Sequence, residues 1–289
     1  MGGGSWTSKS FSNYASVRGM SLSTDGAISG SYSNQEMFKA RKLDDALNVF
    51  QKTRECCDSE EHPNTLPVIL ALDVTGSMGQ AAVEVAKKLN VIMTKLYAEM
   101  ADVEFMIMGI GDLAYDFYPI QATQFESDIR IAEQLDKVFF ELGGGGNGFE
   151  SYSAAWYFGS RHTKLDCWNR GKKGIIITMG DETLNPHLPL KGRYSGMIKS
   201  LGVNLEKDID TKDIYKEASE KFDIYHIDVV HGYRYLDDDT VKLSFSIVIG
   251  DDHFYRASLD NIADKIVEII VSANKNETAA NVTSEGIKW

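Results

Sequence analysis

Positive charge is scarce in this 289-residue chain: 30 Lys and Arg stand against 42 Asp and Glu, a formal charge of −12 with a pI near 5.0. Phosphate recognition rests on basic surface, so nucleic acid is not an expected partner. Long apolar runs are missing as well. None approaches the roughly 18 residues that a membrane span needs, and the opening MGGGSWTSKS has no apolar segment of the signal-peptide kind. No membrane association is expected. Cysteine is limited to Cys56, Cys57 and Cys167. The adjacent pair suits neither a simple staple nor a CxxC site, and the expectation is reduced, buried thiols in a cytoplasmic protein. What the chain does have is 43% hydrophobic and 25% charged residues, the proportions of a globular protein with room for a sizeable core.

The organisation divides into three. Residues 1–64 read as an N-terminal extension, rich in Ser and Gly, whose aromatics Trp6, Phe11, Tyr14 and Tyr32 are spaced to anchor an arm on a surface. A short helix is expected over Lys39 to Gln51. Residues 65–275 alternate strand and helix signals, and 276–289 form a tail. Pro67 to Val74 (PVILALDV) is a continuous apolar run, as a strand buried on both faces reads. Ala82, Val85, Ala86, Leu89, Met93 and Leu96 then recur at helical spacing. Val103–Ile110 reads as a second strand, Tyr115–Ile120 as a β segment and Asp128–Leu142 as a helix. A further helix is expected from Phe149, and Gly174–Met179 reads as a third core strand. The pattern continues with a helix Asp213–Lys221, strands Ile224–Val230 and Phe245–Ile249, and a helix Leu259–Ser272. Such alternation predicts one doubly wound, Rossmann-like α/β domain, a mostly parallel sheet with helices on both faces.

In open sheets of this kind ligands bind at the carboxyl ends of the strands. Three loops there have unusual content: Asp73-Val74-Thr75-Gly76-Ser77-Met78-Gly79 after the first strand, Gly143 to Ser151 (GGGGNGFES), and Thr178 to Thr183 (TMGDET) after the third core strand. Their side chains offer hard oxygen donors without His or Cys, which suits Mg²⁺, with Mn²⁺ or Ca²⁺ as alternatives. Each piece alone has a plain structural reading. A strand-ending Asp caps turns, Thr75 and Ser77 can cap the next helix, and Glu150 can serve the dipole of a first helical turn. The run Asp237 to Asp239 reads as an exposed acidic turn, and the six histidines as core or surface residues.

The segment Asp73-x-Thr75-x-Ser77 resembles the DxSxS signature of von Willebrand factor A domains, in a DxTGSM variant. The resemblance covers about 65–275 and extends to stand-alone bacterial and phage-associated proteins of this type. These share the LDVTGSMG segment, GGGGN-x-x-ESY, and GKKG followed by a strand and GDE. It implies a metal-ion-dependent adhesion site, in which Asp73, Thr75, Ser77 and Asp181 surround Mg²⁺. The family's glycine-loop threonine is replaced here by Asn147. Direct ligation by Asn147 is the preferred expectation, with Glu150 and Ser151 able to contribute directly or through water and Glu182 nearby. The implied activity is non-enzymatic: an Asp or Glu of a protein partner fills the cation's open position. The family analogy extends to an AAA-type ATPase or a larger assembly as partner, in the cytoplasm, a phage particle or an infected cell.

A second resemblance competes. Asp73-Val74-Thr75-Gly76-Ser77 is similar to the nucleophile loop of haloacid dehalogenase-type phosphotransferases, which would make Asp73 an aspartyl-phosphate nucleophile. That scheme expects a second acidic ligand just after Asp181, where Asn185 stands, and a phosphate-holding lysine, for which only Lys172 and Lys173 are near. A P-loop is excluded by the lack of a Gly-Lys-Ser/Thr ending, and a serine hydrolase by the absence of a GxSxG context around Ser77.

Overall fold

The computed structural model describes residues 4–142, 146–231 and 236–285, with side chains as far as residue 275. The alternating apolar and amphipathic segments assemble into one six-stranded sheet. Its strands are numbered in chain order: β1 Leu66–Asp73, β2 Val103–Ile110, β3 Ile120–Ala122, β4 Gly174–Gly180, β5 Phe222–Val230 and β6 Phe254–Ser258. The spatial order is β6-β5-β4-β1-β2-β3, with only the edge strand β3 antiparallel to its neighbour. The strand order therefore reverses between β1 and β4, where the loops leaving the two strands part to opposite sides and open a crevice.

Nine α-helices occur among the described residues: α1 Ser8–Val17, α2 Asn34–Met37, α3 Gly79–Glu99, α4 Arg130–Leu135, α5 Ser153–Arg161, α6 Met197–Leu201, α7 Thr211–Ala218, α8 Asp238–Ile249 and α9 Ile262–Glu285. Two core layers follow from the two-residue period of the strands. Val68, Leu70 and Leu72 of β1 face one layer, which includes Leu89 and Met93 of α3 and Ile266 and Ile270 of α9. Ile69 and Ala71 face the other, with Trp156 and Phe158 of α5, Ile214 of α7 and Phe245 of α8. Burial on both faces is why β1 reads as an unbroken apolar run. Among the described residues no helix is long and apolar enough to cross a membrane.

The N-terminal extension uses its aromatics on its own domain. Thr7 caps α1, Phe11 is fully buried, and the Trp6 indole donates to Asn90 Oδ1 of α3 at 3.0 Å. At the other end α9 continues past residue 275, so the backbone there is helical up to Glu285.

Several local expectations are corrected. Phe245–Ile249 is not a strand but the second half of α8. Its Ser-Phe-Ser-Ile alternation mimics a strand, yet Val241, Phe245 and Ile249 are buried at four-residue spacing while Leu243 and Ile247 are exposed. Asp237, expected in an acidic turn, is the N-cap of that helix and accepts from Thr240 N at 2.9 Å. The helix expected over Asp128–Leu142 shrinks to α4. Lys39–Gln51 forms turns rather than a helix, because Leu47 and Val49 turn into the core while Asn48 bridges to Gln121 beside β3. Phe149–Glu150 is a two-residue strand, and α5 starts only at Ser153.

Candidate metal-binding site

β1 ends at Asp73, and the chain turns on that residue's own side chain. Asp73 Oδ1 accepts from Thr75 N at 2.8 Å and from Thr75 Oγ1 at 2.5 Å, an Asx-type turn that redirects the backbone towards α3. The other oxygen, Oδ2, accepts from the hydroxyl of Tyr152 at 2.9 Å. Asp73 is fully buried, Thr75 nearly so, and Ser77 is exposed. Across the crevice Asp181 follows β4 directly, and its Oδ1 accepts from Ser77 Oγ at 2.9 Å. Asp73, Ser77 and Asp181 are thus brought together at the point where the sheet order reverses.

Tyr152 is the support beneath them. Its ring is fully buried against His226 and Phe245, and it occupies the space beside Gly180. A Cβ on Gly180 would lie 1.8 Å from the Tyr152 hydroxyl, so residue 180 has to be glycine for the phenol to reach Asp73.

The glycine-rich segment is described from Gly146 onward; glycines 143–145 lie outside the described residues. Asn147 Nδ2 donates to Asp112 Oδ2 at 2.9 Å, and Asn147 Oδ1 accepts from Phe149 N at 3.1 Å. Phe149–Glu150 then pairs in parallel with Thr183–Leu184, which ties the loop's exit to the segment following Asp181. Phe149 is exposed and Glu150 buried, as strand alternation requires. Ser151 Oγ accepts from Leu113 N at 3.0 Å, and Glu182 N donates to the Tyr152 hydroxyl at 3.4 Å.

The electrostatics of this edge are one-sided. Burial, then the charge of Asp181, pushes the Asp73 carboxyl up to about 7, against the hydrogen bonds from Thr75 and Tyr152. Burial raises Asp112, and raises Asp116 to about 6. Glu150 is pushed well above the usual carboxylate range by burial and by Asp73, Asp116, Asp112 and Glu182. Carboxylates gathered in a cleft with displaced proton affinities suit cation binding or acid–base work. The donors are all oxygen, which fits a hard divalent cation. Among the described residues no three His, Cys, Asp or Glu side chains stand together at metal-ligand spacing. A site of two carboxylates completed by hydroxyls and water does not require three.

The sequence pattern did not bring forward Tyr152, Asp112, Asp116 or His231. Asp112 had a usable signal: Gly111-Asp112 follows β2 just as Gly180-Asp181 follows β4. His231, read with the other histidines as a core or surface residue, places Nε2 3.4 Å from Asp181 Oδ2. Tyr152 ends the GGGGN-x-x-ESY segment, but nothing in that pattern gave it a role.

The phosphotransfer arrangement finds little support in this geometry. Both Asp73 oxygens are engaged by protein donors. Lys172 and Lys173 precede β4, at the opposite edge of the sheet, where Lys173 donates to Ser219 O at 2.7 Å.

No family profile matches the sequence, and no curated relative matches it. Solved structures are similar in fold. The pilus adhesin SpaC from Lactobacillus rhamnosus GG has a TM-score of 0.50 at 12% identity, over 78% of this chain and 32% of the adhesin, so this chain spans only a minor part of that protein. The vWF domain of the type V pili tip protein Mfa5 from Porphyromonas gingivalis has a TM-score of 0.45 at 14% identity, over 71% of this chain and 95% of that domain. Proximal thread matrix protein 1 from the mussel byssus, solved with a zinc-occupied MIDAS motif, has a TM-score of 0.43 at 10% identity, over 75% of this chain and 49% of that one. These likenesses concern the fold alone, a mostly parallel α/β sheet with helices on both faces.

Proposed function

We propose that this chain is a cation-dependent protein-binding module whose site is formed by Asp73, Ser77 and Asp181, with Thr75 bracing Asp73. The supporting observation is the meeting of two buried carboxylates and an exposed hydroxyl at the β1/β4 switch point, with the His231 imidazole at the rim of Asp181. Mg²⁺ is the cation of choice for such a set, and Mn²⁺ or Ca²⁺ would also fit its chemistry. A bound divalent cation supplies Lewis acidity and offsets the local negative charge. The chain's own residues do the rest. Asp73 is oriented by Thr75 and Tyr152, Ser77 reaches from the start of α3, and Asp181 closes the crevice from β4. The partner contributes an exposed Asp or Glu side chain, and binding takes place without turnover. An AAA-type ATPase or a larger assembly in a cytoplasmic or phage setting would be a suitable source of that residue.

Thermal unfolding of wild type and Asp73→Ala in EDTA, in Mg²⁺, and in Mg²⁺ with beryllofluoride tests this reading. Cation at about 100 times its Kd stabilises a single site by about 2.7 kcal/mol, or roughly 5–10 °C for a chain of this size. The expected result is stabilisation by Mg²⁺ that is lost in Asp73→Ala and indifferent to beryllofluoride. An additional shift with beryllofluoride that depends on Asp73 would instead reveal an aspartyl-phosphate mimic and overturn the binding-module reading.

A further inference from the structure

Two side chains of the glycine-rich loop's exit are candidates for the position left without a threonine, and the structure treats them oppositely. Asn147 has both ends of its amide engaged, Nδ2 with Asp112 after β2 and Oδ1 with Phe149 N in its own loop. Glu150 has the reverse character. It is 3% exposed, and its Oε2 is buried with no hydrogen-bond partner among the described residues.

Its inward position is imposed by the backbone. Pairing of Phe149–Glu150 with Thr183–Leu184, reinforced by the bond from Asn185 N to Glu150 O at 3.2 Å, sends Phe149 outward and Glu150 inward. Among the described residues the charged groups that act most on Glu150 are acidic: Asp73 has the largest effect, followed by Asp116, Asp112 and Glu182. A buried carboxylate without a donor or cation is costly by several kcal/mol, and the remedies are a proton or a positive ion.

We propose that Glu150 is a cation-binding carboxylate of the site, taking the place of the loop hydroxyl, and that Asn147 is a brace holding the loop to Asp112. This rests on the cation-dependent reading above. Since Asp73, Asp181 and Glu150 do not jointly stand at ligand spacing, Glu150 would help hold the cation through water rather than as a third direct ligand. The site then carries three carboxylates rather than two. Affinity for divalent cations is tuned by ligand charge count, so this residue sets how tightly the cation is held.

The test is Mn²⁺ binding to the full chain, measured by calorimetry and by the electron paramagnetic resonance signal of free Mn²⁺. Wild type is compared with Glu150→Gln, Glu150→Asp, Asn147→Ala and Asp73→Ala, each checked for folding by circular dichroism in EDTA. Gln has the shape of a neutral glutamic acid, so Glu150→Gln keeps the packing while removing the charge. The expected result is an affinity loss of about tenfold or more for Glu150→Gln, a smaller loss for Glu150→Asp, and at most about threefold for Asn147→Ala. If Glu150→Gln binds Mn²⁺ as tightly as wild type while Asp73→Ala fails to bind, Glu150 is a buried neutral acid; the proposal falls and the cation reading survives. A loss in Asn147→Ala as large as in Glu150→Gln would overturn the assignment of Asn147 as a brace. If wild type binds no Mn²⁺, the cation reading itself fails.

Discussion

Asp58 and Asp73 are held in nearly the same way and behave in opposite ways. Each accepts two hydrogen bonds from a threonine: Asp58 from Thr65 N and Oγ1 at 3.0 and 2.7 Å, Asp73 from Thr75 N and Oγ1 at 2.8 and 2.5 Å. Asp58 lies at the amino edge of the sheet, where its second oxygen is paired with Arg170, which also donates to Thr65 O at 2.8 Å. Burial is the largest single influence on the Asp58 carboxyl and raises it, but the Thr65 bonds and Arg170 together outweigh it and hold the group below its usual value. Asp73 lies at the carboxyl edge with a neutral phenol as its third partner and Asp181 facing it, and its proton affinity rises.

The two edges repeat this contrast. At the amino edge Lys173 pairs with Asp223 at 3.6 Å, and Lys221 donates to Ser160 O at 2.9 Å and sits over the Trp168 ring. At the carboxyl edge Asp73, Asp112, Asp116 and Glu150 all have raised proton affinities. Glu104, near the start of β2, is an exception at the amino edge, as is Glu126, bridged to Phe105 and raised by burial. Burial raises Glu104 despite Cys56 and His62 nearby. Matched charge builds a fold, whereas concentrated like charge needs a proton or a ligand to be tolerated.

The contrast breaks most visibly at Asp73. Asp73→Asn should abolish the response to Mn²⁺ or Mg²⁺, an affinity loss of about a hundredfold or more, yet leave the cation-free chain as stable as wild type or more so, because a desolvated charge is gone. Calorimetry and thermal unfolding in EDTA check the two halves; a cation response that persists would separate the carboxyl edge from cation binding altogether.

The pH dependence comes next. The folded-state Asp73 carboxyl is raised from 3.8 to about 7. Its contribution to stability is therefore complete below about pH 4 and is lost as pH rises through about 7, on the order of a few kcal/mol across that window. In EDTA the thermal midpoint should fall between pH 5 and 8, and Mn²⁺ should recover most of the loss at the upper end. A flat profile in EDTA would contradict the burial of an ionisable Asp73.

Asp58→Asn tests the matched edge. It leaves Arg170 without its carboxylate and should cost about 1–2 kcal/mol by chemical denaturation, equally with and without cation. A cation-dependent cost would mean that the two edges communicate. The smallest effect is expected for Tyr152→Phe, which removes one hydrogen bond to Asp73 and should cost about 1 kcal/mol. It should also weaken Mn²⁺ binding by a few-fold through loss of carboxylate orientation; unchanged affinity would confine Tyr152 to packing.

The central strands were readable because burial on both faces writes itself as continuous apolar runs, and Leu66–Asp73, Val103–Ile110 and Gly174–Gly180 fall within a residue or two of expectation; the edge strands were not, for Ile120–Ala122 lies past the expected Tyr115–Ile120 and Phe254–Ser258 was not expected. The second half of α8 was misread because alternating Ser-Phe-Ser-Ile satisfies a two-residue period locally, while the four-residue stripe Val241, Phe245, Ile249 is decided by what packs against it. Of the site, Asp73, Ser77 and Asp181 could be placed together because all three sit at or just after the carboxyl ends of adjacent strands. Tyr152 escaped because its contact with Asp73 spans 79 residues and depends on the absent side chain of Gly180.

The sequence by itself determined the α/β class, the edge of the sheet that carries polar loops, and the chemistry of their donors, since these follow from local periodicity and residue type. Only the tertiary structure decided which donors are already spent. Asn147 and Glu150 are three residues apart in one loop, yet one amide donates to Asp112 while Oε2 of the other residue is buried without a hydrogen-bond partner among the described residues. That difference is set by which way a two-residue strand pair turns its side chains and by four carboxylates from distant parts of the chain. Hydrogen-bond satisfaction and long-range charge are properties of the assembled fold, and no local pattern of residues encodes them.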